Sequence, residues 1–147
     1  MSVELPNALS TIRCFISVYE KVGEGVREKY GITQTELDII AFLVNNPGRD
    51  TASDIVDYRK LPKANVSQAV ESMIHKELLL RNQDLQDRRK IHLTLTEKGR
   101  AIFPDIQESR KLLVEVLFRD FNQEELQLFS DMNSRIVKNA LDYLERK

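Results

Sequence analysis

Apolar positions recur in steps of three and four along most of this chain and alternate strictly in one short stretch. That order predicts a mainly α-helical protein carrying one small β-hairpin. The first run, Leu5, Ala8, Leu9, Ile12, Phe15, Ile16, Tyr19 and Val22, predicts a long helix, which Gly23 and Gly25 are expected to weaken and Gly31 to stop. Thr33 with Glu36 makes a T-x-x-E capping box ahead of a second helix through Leu37, Ile40, Ala41, Leu43 and Val44, closed by Asn45, Asn46, Pro47 and Gly48. Further on, Thr96 caps a helix expected from about Glu97 to Phe118, with Ala101, Ile102, Ile106, Leu113, Val116 and Leu117 inward. Pro104 lies inside that span and demands a bend or a shifted boundary. Asn122 with Glu125 opens the last helix, where Leu126, Phe129, Met132, Ile136, Val137, Ala140, Leu141 and Leu144 keep the spacing almost to the end.

The stretch from Thr51 to Arg100 is organised differently. Thr51 and Asp54 cap a short helix with Ala52, Ile55 and Val56 inward, and about five residues later a second helix spans Pro62 to Lys76. Its stripe of Val66, Ala69, Val70, Met73 and Ile74 must be buried. The remaining positions hold Lys63, Ala64, Asn65, Ser67, Gln68, Glu71, Ser72 and His75, and these short or amide side chains let a helix approach base edges closely. Two short helices so joined predict a helix-turn-helix. Next, Leu79–Asn82 and Lys90–Thr94 flank the polar run QDLQDRR, with Ile91, Leu93 and Leu95 expected inward and His92, Thr94 and Thr96 outward. That is a hairpin with a long charged tip.

Helix, helix and a hairpin ending in DLQDRRKIHLTLTEKG resembles the winged helix-turn-helix of the MarR family of bacterial transcription regulators. The specific part is Asp84, Asp87, Arg88 and Arg89 followed by Leu95, Thr96, Glu97, Lys98 and Gly99, similar to the family's D-x-x-D-R-R and L-T-x-x-G. The sequence departs from the pattern at Glu77, where the family has Gly at the end of the recognition helix. A residue with a Cβ there either holds a left-handed conformation at a cost of about 1 kcal/mol or ends the helix another way.

Composition narrows the class. With 147 residues, 41% apolar and 31% charged, the chain can bury a core without disulfides or metals. The single Cys14, no apolar run near 18 residues and no signal-peptide layout in MSVELPNALS point to the cytoplasm. The net charge of −1 argues against a nucleic-acid binder until its distribution is considered. Between residues 59 and 90, Arg59, Lys60, Lys63, Lys76, Arg81, Arg88, Arg89 and Lys90 face only Glu71, Glu77, Asp84 and Asp87, a local excess of positive charge set against an acidic remainder.

On the hairpin and helix residues, duplex DNA is the expected partner. Asn65 and Gln68 suit adenine, Ala64 offers a methyl-sized contact to thymine, and Lys63 and Ser67 are placed for phosphate or sugar. The resemblance makes Arg89 the wing arginine that enters the minor groove, with Lys90 beside it, while Arg88 is free to pair with Asp84 or Asp87 and hold the tip. One small lobe offers too little surface to cover three long apolar helix faces, so pairing with a second copy is expected. The resemblance implies the same arrangement: a homodimer joined through N- and C-terminal helices. The expected organisation is a dimerisation helix at 1–30, a winged DNA-binding lobe at 33–100 and dimerisation helices at 101–147.

Other chemistry is thinner. A peroxide-sensing branch of that family uses one cysteine near the start of the first helix helped by tyrosines, and Cys14 with Tyr19 and Tyr30 resembles it; the competing use is a small buried apolar group. His75 and His92 lie on different elements with no ligand-spaced partner, so no zinc site is expected. No nucleophile elbow, phosphate-binding glycine loop or catalytic carboxylate pair is present, and an enzyme is not expected. Phe15, Tyr19, Tyr30, Phe42 and Phe103 either line a crevice for a small-molecule effector or simply belong to the core. The resulting expectation is a ligand-responsive repressor on a pseudo-palindromic operator. Its rivals are a Cys14 thiol switch and a winged-helix protein-interaction module.

Overall fold

The computed structural model describes residues 5–146, with side chains from Asn7 onward, so the inward role expected of Leu5 lies outside the described residues. The element order is α1 (Leu5–Tyr30), α2 (Gln34–Asn45), α3 (Ala52–Arg59), α4 (Lys63–His75), β1 (Leu79–Gln83), β2 (Ile91–Leu95), α5 (Glu97–Arg100), α6 (Phe103–Leu117) and α7 (Gln123–Leu144). It is a mainly α fold with a two-stranded antiparallel wing, as the alternation of periods predicted.

Local chemistry sets most boundaries. Complete capping boxes open α2 (Thr33, Glu36), α3 (Thr51, Asp54) and α7 (Asn122, Glu125), each satisfying backbone N–H groups that the helix leaves unpaired. Pro104 does what the helix geometry requires: the expected span from Glu97 splits into α5 and α6, and the proline falls in the first turn of α6. Gly23 and Gly25, by contrast, do not weaken α1, which runs through both to Tyr30 before Gly31 turns the chain at φ 63°. Gly23 is buried because α2 approaches it: a Cβ there would lie 3.3 Å from Gln34 Oε1 and 3.4 Å from Leu37 Cδ1.

The core gathers one face from every element between the end of α1 and the start of α6. Ile39, Ile40, Ile55, Val66, Met73, Leu79 and Ile106 are fully buried, with Val26, Leu37, Phe42, Leu93, Leu95 and Ile102 around them. Tyr30 and Phe103 pack against this cluster and Phe42 is inside it, so these aromatics serve the core. Three residues expected inward are not: Ile91 is exposed because it pairs with Gln83 at the tip end of the hairpin, Ala101 is exposed at the break between α5 and α6, and Val116 is exposed near the end of α6.

Polar ties fix α1 and α2 against the rest of this lobe. The Tyr19 hydroxyl donates to Asp38, which also pairs with Arg59 at 3.2 Å. Burial, then the Asp38 carboxylate, pushes the Tyr19 phenol upward from its ordinary range. Asp105 accepts from Lys29 Nζ at 2.9 Å and from the Tyr30 hydroxyl at 2.5 Å. The fully buried Glu36 carboxylate receives Lys76 Nζ at 2.8 and 3.1 Å as well as the Thr33 amide, joining the start of α2 to the end of α4.

The chain divides into two compact units at Leu113 and Val114. In the second, Phe118 meets Phe121 and Phe129 edge-on at 5.5 and 5.0 Å, and α7 buries none of its residues. Leu128, Phe129, Met132, Ile136, Val137, Tyr143 and Leu144 are all exposed.

Candidate nucleic-acid interface

The recognition helix α4 is oriented by its apolar stripe. Val66, Ala69, Val70 and Met73 face the core, and this puts Lys63, Ala64, Asn65, Ser67 and Gln68 on the exposed side. Pro62 precedes the helix with φ −60° and no side-chain cap, so no side chain covers the first-turn amides. Shallow clefts flank the exposed face. One, of about 370 Å³, lies along Thr33, Thr35, Asn65, Gln68 and Ser72; another, of about 240 Å³, runs along Ser53, Asp57, Lys63 and Ser67.

The end of α4 shows how Glu77 is accommodated. It takes φ 63°, the left-handed position, with the Glu77 amide donating to Ile74 O at 3.0 Å and the Leu78 amide to Met73 O at 2.9 Å. These two bonds make a Schellman cap, so the helix ends as it would with glycine and Glu77 carries the strain. The turn after the wing locks onto this cap. Thr96 Oγ1 donates to Glu77 O at 2.7 Å, the Thr96 amide donates to Leu78 O at 3.0 Å, and a Cβ on Gly99 would sit 2.3 Å from that same Leu78 oxygen. The L-T-x-x-G stretch therefore needs its glycine for backbone contact.

In the wing, Leu79 pairs with Leu95 and Gln83 with Ile91. Arg81 Nη2 reaches Glu71 Oε1 at 2.5 Å, linking β1 to α4, and the Leu93 amide donates to Asp50 O at 2.7 Å, linking β2 to the loop before α3. Asp84 and Asp87 both shape the tip, though not by the expected partner. Asp84 Oδ2 accepts from the amides of Gln86 and Asp87 at 2.9 and 2.8 Å, and Asp87 Oδ1 accepts from the amide and Nε of Arg89 at 3.1 and 3.3 Å. Arg88 pairs with neither aspartate; its backbone carbonyl accepts from Gln83 Nε2 at 2.9 Å, and its side chain is exposed like those of Arg89 and Lys90. Asp87 takes Arg89, two residues on, and not its immediate neighbour Arg88, because its carboxylate closes a local turn on the Arg89 amide.

The sequence places His92 outward, as a near-DNA or surface polar group, and the structure gives it two carboxylate partners. Its Nδ1 lies 2.7 Å from Asp50 Oδ1 and its Nε2 lies 2.7 Å from Asp84 Oδ1. Those carboxylates push the His92 imidazole up from its ordinary range, Asp50 first. In turn the His92 ring, then the Asp87 and Gln86 amides, hold Asp84 down to about 2. Alternation placed His92 outward, but nothing in spacing brings Asp50 across 42 positions to meet it.

The basic excess is smaller in space than in sequence. Arg59, Lys76 and Arg81 are engaged with Asp38, Glu36 and Glu71, whereas among the described residues Lys60, Lys63, Arg88 and Lys90 form no ion pair. Cys14 is exposed on α1, against the expectation that a lone helical cysteine is buried, and the hydroxyls of Tyr19 and Tyr30 donate to Asp38 and Asp105. No group of acidic, histidine or cysteine side chains suited to a metal ion occurs among the described residues.

A core of α2, α3 and α4 with a two-stranded wing behind the exposed recognition helix defines a winged helix-turn-helix protein. The model of the MarR family matches residues 30–90, across both helices of the motif, the first strand of the wing and its tip, and over that stretch the chain is similar to that family. It is similar to the HTH-type transcriptional regulator MhqR of Bacillus subtilis, 24% identical over 131 residues that cover 89% of each chain. It is also similar to the repressor MdtR of the same organism, 25% identical over 113 residues covering 77% of this chain and 72% of that one. Among solved structures, a MarR family regulator from Listeria monocytogenes complexed with 26mer DNA superposes with a TM-score of 0.80 at 17% identity, covering 97% of this chain and 91% of that one. Bordetella bronchiseptica BpsR, whose DNA binding is regulated by 6-hydroxynicotinic acid, gives 0.74 at 19% identity over 89% and 98%.

Proposed function

We propose that the chain is a sequence-specific, DNA-binding transcription regulator that acts as a homodimer in the cytoplasm, with repression as its default. The observation that carries this reading is the division of α4 into a fully seated apolar stripe and an exposed side bearing Lys63, Ala64, Asn65, Ser67 and Gln68, next to a hairpin tip with Arg88, Arg89 and Lys90 exposed. Asn65 and Gln68 read base edges in the major groove and Lys63 and Ser67 hold the backbone. Arg89, kept in place at its backbone by Asp87, reaches the adjacent minor groove. A second copy, joined through 1–30 and 101–147, covers the exposed apolar side of α7 and sets two recognition helices about 34 Å apart on a pseudo-palindromic site.

Occupying that site excludes polymerase. A small-molecule effector, of the kind named for BpsR, releases it by favouring a dimer in which the recognition helices no longer match the site spacing. A Cys14 switch is less favoured, because the two tyrosines that would assist the thiol are bonded elsewhere.

The test is a salt titration on a duplex selected by the protein from a random-sequence library. Affinity should fall log-log with a slope near −0.9 per phosphate neutralised, and a protein-interaction module would bind no duplex. Gln68→Ala should relax preference at one base position by about 1–3 kcal/mol, whereas Arg89→Ala weakens binding to all sequences. Parent-like binding by both variants would remove the site assignment.

A further inference from the structure

We infer that His92 is a positioning residue for the wing and performs that role as an imidazolium, so that affinity for DNA falls as His92 loses its proton. The inference rests on the DNA-binding reading above and adds to it a residue and a pH dependence.

The geometry is specific about protonation. Both ring nitrogens lie 2.7 Å from carboxylate oxygens, and a neutral imidazole has only one N–H to give. In the neutral form one of those contacts sets a ring lone pair against a carboxylate. The carboxylates belong to different parts of the lobe. Asp50 sits in the loop before α3, where its carbonyl also receives the Leu93 amide; Asp84 begins the wing tip and holds the Gln86 and Asp87 amides with its other oxygen. One cation thus ties the tip of the hairpin to the helical lobe, and the segment it secures carries Arg88, Arg89 and Lys90.

The surrounding charges agree. From the loop come Arg49 and Asp50, from α3 Asp54, and from the hairpin Asp84, Asp87, Arg88, Arg89 and Lys90. Arg49 lies over the Tyr58 ring, Asp54 caps Thr51 and Asp87 holds Arg89, which leaves the positive charge of Arg88 and Lys90 to oppose protonation. Two direct carboxylate contacts outweigh it, and His92 is accordingly held above its ordinary value. For a raised histidine the stabilising contribution is complete below the unfolded value of about 6.5 and is lost as pH rises through the folded one, so the window opens at that unfolded value and extends upward. DNA phosphates beside the wing favour the same charged form, which links binding to proton uptake.

The experiment measures fluorescence anisotropy of the full chain on the selected duplex from pH 6 to 9 at constant ionic strength. The parent should weaken roughly five- to tenfold more than His92→Gln, whose amide donates to one carboxylate but takes up no proton. Without DNA, NMR titration of the His92 ring should show its midpoint lowered in Asp84→Asn and in Asp50→Asn. Equal pH slopes in parent and His92→Gln, or an unmoved midpoint in both aspartate variants, would overturn the inference. If no duplex is selected while the midpoints shift as expected, the bridge stands and the DNA reading fails.

Discussion

Helices α2 and α7 begin with the same local chemistry and end in opposite environments. Each opens with a complete capping box and each carries apolar residues at three-four spacing. Yet every residue from Glu36 to Phe42 is buried in α2, and none is buried in α7, where Ile136 is 65% exposed. A cap and a stripe specify that a helix forms and which side is apolar; they do not specify what covers that side. In α2 the cover is α1, α3, α4 and the wing. For α7 the cover proposed here is a second copy of the chain.

Three substitutions sharpen that contrast. Ile136→Glu removes the same apolar contact twice in a symmetric dimer, about 3–6 kcal/mol in total, so sedimentation should show monomers where the parent sediments as a dimer. If the variant remains dimeric, the interface lies elsewhere. Ile40→Ala, in the fully buried stripe of α2, should cost about 2–5 kcal/mol in thermal unfolding, and unlike the first change it acts within one chain. Glu77→Gly has the smallest effect and the opposite sign. It should relieve the left-handed strain by about 1 kcal/mol and raise Tm by roughly 3 °C; an unchanged or lower Tm would show that Glu77 compensates for its backbone in another way.

Much of the interface could be read along the chain because it depends on local rules. The stripe of Val66, Ala69, Val70 and Met73 fixed by subtraction which residues of α4 would be exposed, and Leu93 with Leu95 set the register of the wing. The failures have local causes too. Low helix propensity makes Gly23 look like a weak point of α1, but in place it serves the approach of α2. The basic excess between residues 59 and 90 exceeds the charge free to face DNA, since Arg59, Lys76 and Arg81 hold the lobe together instead.

The sequence by itself determined the elements, their caps, the apolar side of each helix and the family motif at the hairpin, because each follows from periodicity or from side chains reaching backbone groups a few residues away. Only the tertiary structure decided that Asp50 and Asp84 converge on His92, that Leu78 O occupies the space a Cβ at Gly99 would need, and that α2 is enclosed while α7 is bare. These depend on distances between segments tens of residues apart, and such distances are set by how the whole core packs.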